Sequence, residues 1–312
     1  MPHFIITYGP TGSGKGYLLD RFINRLHNEH VELGVVTKEN SYFAEVDSYI
    51  ESNEVYKLAV FDVMKHFYRK VPRDVQLDDF LLHKLSEYVE GSDKLIGREL
   101  SDKMFEAYSS VKEDVKKKFM SDLRDAIASN KHIIYELTGS KGTDPLEKFF
   151  GPKGLLNGRD DYVVSIVFPY VDDSVIIKRA TQRFIERVTK AKPFVKKVVE
   201  EIPYGSALTG LQNLNNFMKI VPPRLPDILE LKTLKIGISQ LNLVQYVNSK
   251  HVKNILVYDN NISSEPLSEF NLSKKKQDSY HKRKFAEVYG DNIHPELKDA
   301  ILQSSARIFF YR

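Results

Sequence analysis

The sequence contains no cysteine. This absence excludes disulfide bonds, zinc sites built on thiolates and thiol nucleophiles. No apolar run approaches the ~20 residues that a membrane-spanning helix needs. The opening MPHFIITYG lacks the charged region and small-residue cleavage site of a signal peptide. We therefore expect a soluble protein of the cell interior, with no membrane partner.

The chain also lacks a large excess of positive or negative side chains, since its formal net charge is only +4. Such a mild balance gives weak support to nucleic acid as a partner. The 312 residues, of which 42% are hydrophobic, suit one large α/β domain or a domain with a smaller appendage.

Short apolar runs alternate with helical patterns along the chain. The predicted strands are Phe4–Tyr8, Tyr42–Val46, Ile133–Tyr135, Tyr162–Phe168 and Asn254–Tyr258, the last of these being the final strand. The predicted helices include Gly16–Asn28, Val111–Ser129 and Ser174–Lys190. This alternation predicts an α/β fold with a parallel sheet covered by helices on both faces. Its ligand edge, where the strands end, should gather Gly9, Asp47, Glu136, Pro169 and Asp259.

A glycine-rich loop follows the first predicted strand. Residues 9–16 read GPTGSGKG, which completes the pattern G-x-x-x-x-G-K at Gly9, Gly14 and Lys15. Glycines allow backbone N–H groups to turn toward phosphate oxygens, and the lysine reaches the β- and γ-phosphates. We expect a nucleoside triphosphate to bind Gly9, Pro10, Thr11, Gly12, Ser13, Gly14, Lys15, Gly16 and Tyr17.

The residue after the lysine departs from the usual pattern. A Ser or Thr there supplies a hydroxyl ligand to Mg²⁺, but this chain has Gly16, and its nearest hydroxyls are Thr11 and Ser13. We expect Mg²⁺ to be held largely by phosphates and water, with Glu136 as a possible partner through water. A weakened or degenerate metal site is the alternative.

Two carboxylates are further candidates. Asp47, within EVDSYIESNEVYK, is placed to orient an acceptor hydroxyl and take its proton, or to cap the helix that follows. Glu136, within IIYELTG, is placed to meet metal-bound water or a substrate group, or to cap a neighbouring helix. Thr138 follows it where the chain turns away.

Three arginines recur at every fourth residue, at Arg179, Arg183 and Arg187. This spacing places them on one helix face, where a transferring phosphoryl group would offset their mutual repulsion. The alternative is a surface helix with Asp173 and Glu186 as partial partners.

These segments together resemble the zeta-toxin group of P-loop kinases, most closely the divergent zeta-toxin-like proteins of large DNA viruses. The resemblance spans residues 3–262 and is carried by GPTGSGKG, EVDSYIESNEVYK, IIYELTG, VFPYVDDSVIIKRATQRFIERV and NILVYDNN. It implies a P-loop NTPase fold and a phosphotransferase that uses ATP and Mg²⁺. The best-known zeta toxins phosphorylate a sugar hydroxyl of UDP-N-acetylglucosamine. The segment 57–110 has no clear match to their substrate-binding region, so that substrate is not carried over.

The resemblance also implies roles for individual residues. Lys15 corresponds to the phosphate lysine and Asp47 to the catalytic base. Arg179 and Arg187 correspond to arginines of a lid. On the substrate side we expect Asp47, Glu136, Thr138 and Arg183.

The expected organisation is a kinase-like domain over 1–264 and a basic extension over 265–312, which contains the run Lys274–Lys284. Segments near 57–130 and 190–245 are expected as insertions, the first of them helical. The expected function is transfer of phosphate from ATP to a hydroxyl of a small molecule, such as a sugar nucleotide or nucleotide. Alternatives are a polynucleotide or nucleoside kinase and a virion-associated structural protein. We expect the protein in the cytoplasm, or in the host cytoplasm or virion if it is viral.

Overall fold

The chain forms two compact units, one of which contains the sheet. The computed structural model describes residues 1–9, 12–15, 36–37, 39–59, 62, 95–137, 144–172, 175–176, 178–179, 243–259 and 294–311. The first unit consists of Met1–Glu45, Met120–Ile176 and Thr233–Arg312, and the second of Val46–Phe119 and Ile177–Lys232. The second unit contains much of both segments that were expected to be insertions.

Six strands of the described residues form one sheet in the order β2-β3-β1-β4-β5-β6. They are β1 His3–Tyr8, β2 Ser41–Ala44, β3 His132–Leu137, β4 Val163–Tyr170, β5 Val252–Asp259 and β6 Arg307–Tyr311. Every neighbouring pair is parallel. The predicted α/β class and parallel sheet are therefore confirmed.

The central strand β1 is buried along its whole length. Because side chains alternate between the two faces of a strand, both faces of the sheet are covered here. On one face Phe4 packs against Phe149 and Tyr162, with ring centroids 5.2 and 6.4 Å away. This apolar core fixes β1 and the loop that follows it.

Four helices have defined bounds among the described residues: α1 Val46–Ser52, α2 Leu95–Ala128, α3 Asp144–Phe150 and α4 Pro295–Gln303. Short helical segments also occupy 54–59 and 243–247. The predicted charged helix at 111–129 is confirmed as the second half of α2. Its buried side chains recur at about one helical turn, at Val111, Val115, Phe119, Leu123 and Ile127. Within the described part of the chain, no helix is long and apolar enough to cross a membrane.

The predicted second strand is wrong at its end. Pairing of β2 with β3 stops at Ala44, and α1 begins at Val46. Val46 is β-branched, so its sequence context fits a strand as well as a helix. Asp47 consequently lies in the first turn of a helix and does not close a strand. A carboxylate is favourable there because of the helix dipole.

The prediction that Asn254–Tyr258 is the last strand is also wrong, because β6 pairs beside β5. Residues 295–311 were expected in a basic extension, yet they belong to the unit with the sheet. Leu297 and Ile301 of α4 are fully buried, and Ser304 Oγ donates a hydrogen bond of 3.1 Å to the Val247 carbonyl. The β-branched and aromatic run RIFFY explains the extra strand. The basic run at 274–284 lies outside the described residues.

Candidate phosphate-binding site

The candidate site lies at the carboxyl end of β1, where the order of the strands in the sheet changes direction. The connection from β1 leads past β3 to β2, whereas each later connection leads toward the opposite edge of the sheet. In open parallel sheets, ligands bind at the carboxyl ends of strands at such a reversal. Gly9 directly follows β1 at this position.

Gly9 is held in a narrow space between two strands. Its N–H donates a hydrogen bond of 3.0 Å to the Leu137 carbonyl at the end of β3. A Cβ atom at Gly9 would lie 2.9 Å from Ser13 Oγ and 3.3 Å from Pro169 Cγ. The absence of a side chain at Gly9 therefore lets the loop fold back between β3 and β4. Pro169, predicted at this edge of the sheet, forms one wall of the loop.

The loop curls through two glycines with positive φ, 83° at Gly12 and 89° at Gly14. Residues with a Cβ rarely adopt this left-handed region, so the curl depends on glycine. Ser13 lies between them and is fully buried. A curl of this kind allows successive backbone N–H groups to face an anion.

Lys15 folds back onto its own loop. Its Nζ donates a hydrogen bond of 2.7 Å to the Gly9 carbonyl. The same Nζ lies 3.1 Å from Oε1 of Glu136. The side chain is only 4% exposed, so a buried cation stands at the carboxyl end of the central strand.

Glu136 comes from β3 and is the carboxylate in contact with this cation. It is paired in register with Thr7 of β1, so both side chains project from the same face of the sheet. Thr7 Oγ1 donates a hydrogen bond of 3.4 Å to the Tyr135 carbonyl. The Glu136 side chain is 31% exposed, far more than Lys15. The ion pair therefore has a buried positive end and an accessible negative end.

The structure thus brings together Gly9, Gly12, Ser13, Gly14, Lys15 and Glu136. Asp47 and Arg179 belong to the second unit. Asp47 is partly buried in the first turn of α1. Arg179 is partly buried in a helical stretch, and this burial lowers the pKa of its guanidinium. Other predicted site residues lie outside the described residues: Pro10, Thr11, Gly16, Tyr17, Thr138, Arg183 and Arg187.

A group of tyrosines lies on the other face of β1 from Thr7. Tyr8, just before the loop, packs its ring 5.4 Å from Tyr246 and 6.2 Å from Phe168. The Tyr246 hydroxyl is buried and makes no hydrogen bond to any residue that the structure describes. Burial raises the pKa of Tyr246, and the nearby Tyr8 and Tyr135 raise it further. Sequence reasoning missed this group because its members stand at ordinary core positions for aromatic residues.

Among the described residues, Glu136 is the group through which a metal ion could bind at this site. Among the residues that the structure describes, no group of three or more histidines or carboxylates is arranged to hold a metal. Mg²⁺ commonly binds through one or two carboxylates together with substrate phosphates and several waters. Glu136, together with bound phosphates, would fit that mode of binding.

Comparisons with protein-family models, with curated proteins and with solved structures gave no significant match.

Proposed function

We propose that this protein is a P-loop kinase, similar to the zeta toxins, that transfers the γ-phosphoryl group of ATP to a hydroxyl of a small molecule. The observation that carries the proposal is Lys15. It is a buried cation on a glycine loop, at the carboxyl end of the central strand and next to a carboxylate of the neighbouring strand. We assign the first unit to the P-loop NTPase fold for the same reason.

The loop would hold the triphosphate through its backbone. Gly12 and Gly14 supply the curl, and the N–H groups of this loop neutralise part of the phosphate charge. Lys15 would turn to the β- and γ-phosphates and offset the charge that spreads over the γ-oxygens during transfer. Most of the rate enhancement in such transfers comes from positioning and charge stabilisation.

Glu136 would hold Mg²⁺ through a metal-bound water. When bound, Mg²⁺ would supply positive charge against the negative charge that develops on the phosphates during transfer. An acidic residue at the end of a strand beside the loop is the usual protein partner of this metal in P-loop enzymes. The sequence has no hydroxyl at Gly16, and among the described residues we assign this task to Glu136.

Transfer to an acceptor needs a group that orients the attacking hydroxyl. The resemblance assigns this role to Asp47, which lies in the first turn of α1. The acceptor oxygen forms a bond to the γ-phosphorus, the bond to the β,γ-bridging oxygen breaks, and Asp47 takes the hydroxyl proton. ADP leaves. Arg179, with Arg183 and Arg187, would stabilise the transferring group.

A transfer assay tests the proposal. The wild type and Lys15→Ala would be incubated with γ-labelled ATP, Mg²⁺ and pools of nucleotides, sugar nucleotides or oligonucleotides. We expect the wild type to label one pool and Lys15→Ala to lose about 10²-fold or more of that rate. Circular dichroism should show both proteins folded. Glu136 loses its partner in Lys15→Ala, but its carboxylate is partly exposed and stays solvated.

The outcomes separate the alternatives. Transfer of the labelled phosphate to the oligonucleotide pool would indicate a polynucleotide kinase. ATP binding that depends on Lys15 without transfer to any pool would favour a non-enzymatic role. Calorimetry that shows no ATP binding by the wild type would contradict the proposed site altogether.

A further inference from the structure

Two histidines begin neighbouring strands at the edge of the sheet opposite the glycine loop. His3 is the first residue of β1, and His132 is the first residue of β3. We propose that the contact between them is a pH-sensitive switch: the neutral ring of His132 holds the start of β1, and protonation of that ring releases it. The switch acts on these two strands whichever ligand the glycine loop binds.

The first step is the hydrogen bond between the two residues. The backbone N–H of His3 donates to Nδ1 of His132 at 3.0 Å. A neutral imidazole has one acceptor nitrogen and one N–H, so this contact places the proton of His132 on Nε2. Protonation of the ring makes both nitrogens donors. The N–H of His3 then faces another donor, and the hydrogen bond is lost.

The second step concerns the cost of that loss. His3 is only 4% exposed, so its backbone N–H has little access to water. A buried donor that loses its acceptor destabilises the folded state. The two imidazole rings are also stacked, with centroids 5.4 Å apart. If His3 took up a proton as well, two like charges would repel each other at that distance.

The surroundings of His132 favour its neutral form. Burial lowers the pKa of His132, and the positive charge of the chain's N-terminal amino group lowers it further. Ser41, which pairs with His132 from β2, carries no charge. The charged side chains of the adjoining described segments are exposed or, as Arg159 and Asp161 are at 2.8 Å, paired with each other: Glu39 before β2, Asp125 and Lys131 at the end of α2, and Arg159 and Asp161 before β4. Solvent screens charges at such positions, which leaves burial as the main influence on His132.

The direction of the pH effect follows from this lowered pKa. Above the pKa of about 6.5 of free histidine, the folded and the unfolded chain both hold His132 neutral. As the pH falls below that value, the unfolded chain takes up the proton first. Acid therefore raises the unfolding equilibrium constant, by up to about tenfold per pH unit for this one residue. The rise ends once the pH is below the folded pKa.

The switch and the candidate site share the same two strands. Pairing of β1 with β3 continues from Phe4 and Ile133 to Tyr8 and Leu137, and Gly9 follows directly. Protonation of His132 therefore acts at one end of the strand pair whose other end carries the glycine loop.

Urea denaturation between about pH 5 and pH 8 tests the inference on the wild type, His132→Asn and His251→Asn. An asparagine keeps an acceptor oxygen near the position of Nδ1 but does not titrate. On acidification the unfolding constant of His132→Asn should rise less than that of the wild type, by up to about tenfold per pH unit. His251→Asn is the matched control, because it removes a partly exposed histidine whose ring stacks on Phe150 at 4.6 Å. That variant should keep the wild-type pH dependence.

NMR of the wild type checks the hydrogen bond directly. The ¹⁵N shifts of the His132 ring should place the proton on Nε2 at neutral pH and give a pKa below about 6.5. A proton on Nδ1, or a pKa at or above that value, overturns the inference even if His132→Asn fails to fold. Equal pH dependence of unfolding in the wild type and His132→Asn also overturns it, as does an equal reduction in His132→Asn and His251→Asn.

Discussion

Two buried polar side chains in or near the glycine loop after β1 differ in their contacts. Lys15 contacts a backbone carbonyl and a carboxylate. The hydroxyl of Tyr246 lies in the core without a hydrogen-bond partner among the described residues. A buried polar group that makes no hydrogen bond lowers the free energy of unfolding, because its bonds to water are lost and not replaced.

Tyr246→Phe should therefore stabilise the protein. We expect the free energy of unfolding to rise by about 1 kcal/mol, the lower end of the usual cost of an unsatisfied buried group. Urea denaturation measures the change. Tyr162→Phe is the matched control, because the Tyr162 hydroxyl donates a hydrogen bond of 2.8 Å to the Lys131 carbonyl. That variant should lose about 1 kcal/mol. Equal losses in the two variants would contradict the expectation.

The same residue predicts a loss of stability in alkali. The pKa of Tyr246 is raised in the folded protein above the unfolded value of about 10. Below that pH both states hold the proton and the residue adds no pH dependence. As pH rises above about 10, the unfolded state releases the proton first, so unfolding becomes more favourable. Melting curves should show a smaller alkaline loss for Tyr246→Phe than for the wild type.

At the scale of elements, the loop after β1 depends on backbone conformations that only glycine adopts easily. Gly14 has φ 89° within the loop, and Gly158 has φ 72° between α3 and β4, with open space around its Cβ position. Alanine at either position should cost about 1–2 kcal/mol of stability through backbone strain. Only Gly14→Ala should also weaken ATP binding.

Denaturation and calorimetry on Gly14→Ala and Gly158→Ala check this expectation. Because both variants carry similar backbone strain, a loss of ATP binding in Gly14→Ala alone would come from the loop and not from lower stability in general. If Gly158→Ala weakens ATP binding as much as Gly14→Ala does, the loop curl is not the binding element.

The sequence predicted those elements whose signals are local. Phe4–Tyr8 stood out as an apolar run ahead of a glycine loop, and it is the central strand. The strand β6 was missed because its apolar run follows a long polar, basic stretch. The end of β2 was misplaced because Val46 suits a strand or a helix equally. The end of β2 is set by its pairing with β3, and a local sequence pattern carries no information about that pairing.

The difference between local sequence signals and contacts between distant segments also applies to the candidate site. The positions of Gly9, Gly14 and Lys15 follow from one short pattern, and Glu136 was expected at the same edge of the sheet. Its contact with Lys15 was not predicted, because that contact requires β3 to lie directly beside β1. That the Tyr246 hydroxyl has no hydrogen-bond partner among the described residues was not predictable either, since this depends on packing in three dimensions.

At the scale of the whole molecule, the first unit is assembled from three separate stretches of chain, and α4 belongs to the last of them. Leu297 of α4 is 0% exposed, whereas Leu302 of the same helix is 38% exposed. Leu297→Ala should lower the free energy of unfolding by about 2–5 kcal/mol, as for other core leucines. Leu302→Ala should change it by less than about 0.5 kcal/mol.

Chemical denaturation of the two alanine variants distinguishes a packed helix from an appendage. Similar, small effects at Leu297 and Leu302 would mean that α4 does not contribute to the core.

The pairing of β1 with β3 has a consequence for how the protein folds. Thr7 and Tyr135 share a hydrogen bond although they are 128 residues apart in the chain. Contacts so distant in sequence form slowly, because the entropy of closing the intervening loop must be overcome first. A helix such as α2 relies on neighbours along the chain and forms on a much faster timescale. The carboxylate of Glu136 reaches Lys15 only after the slow step, so the proposed nucleotide site is completed late in folding.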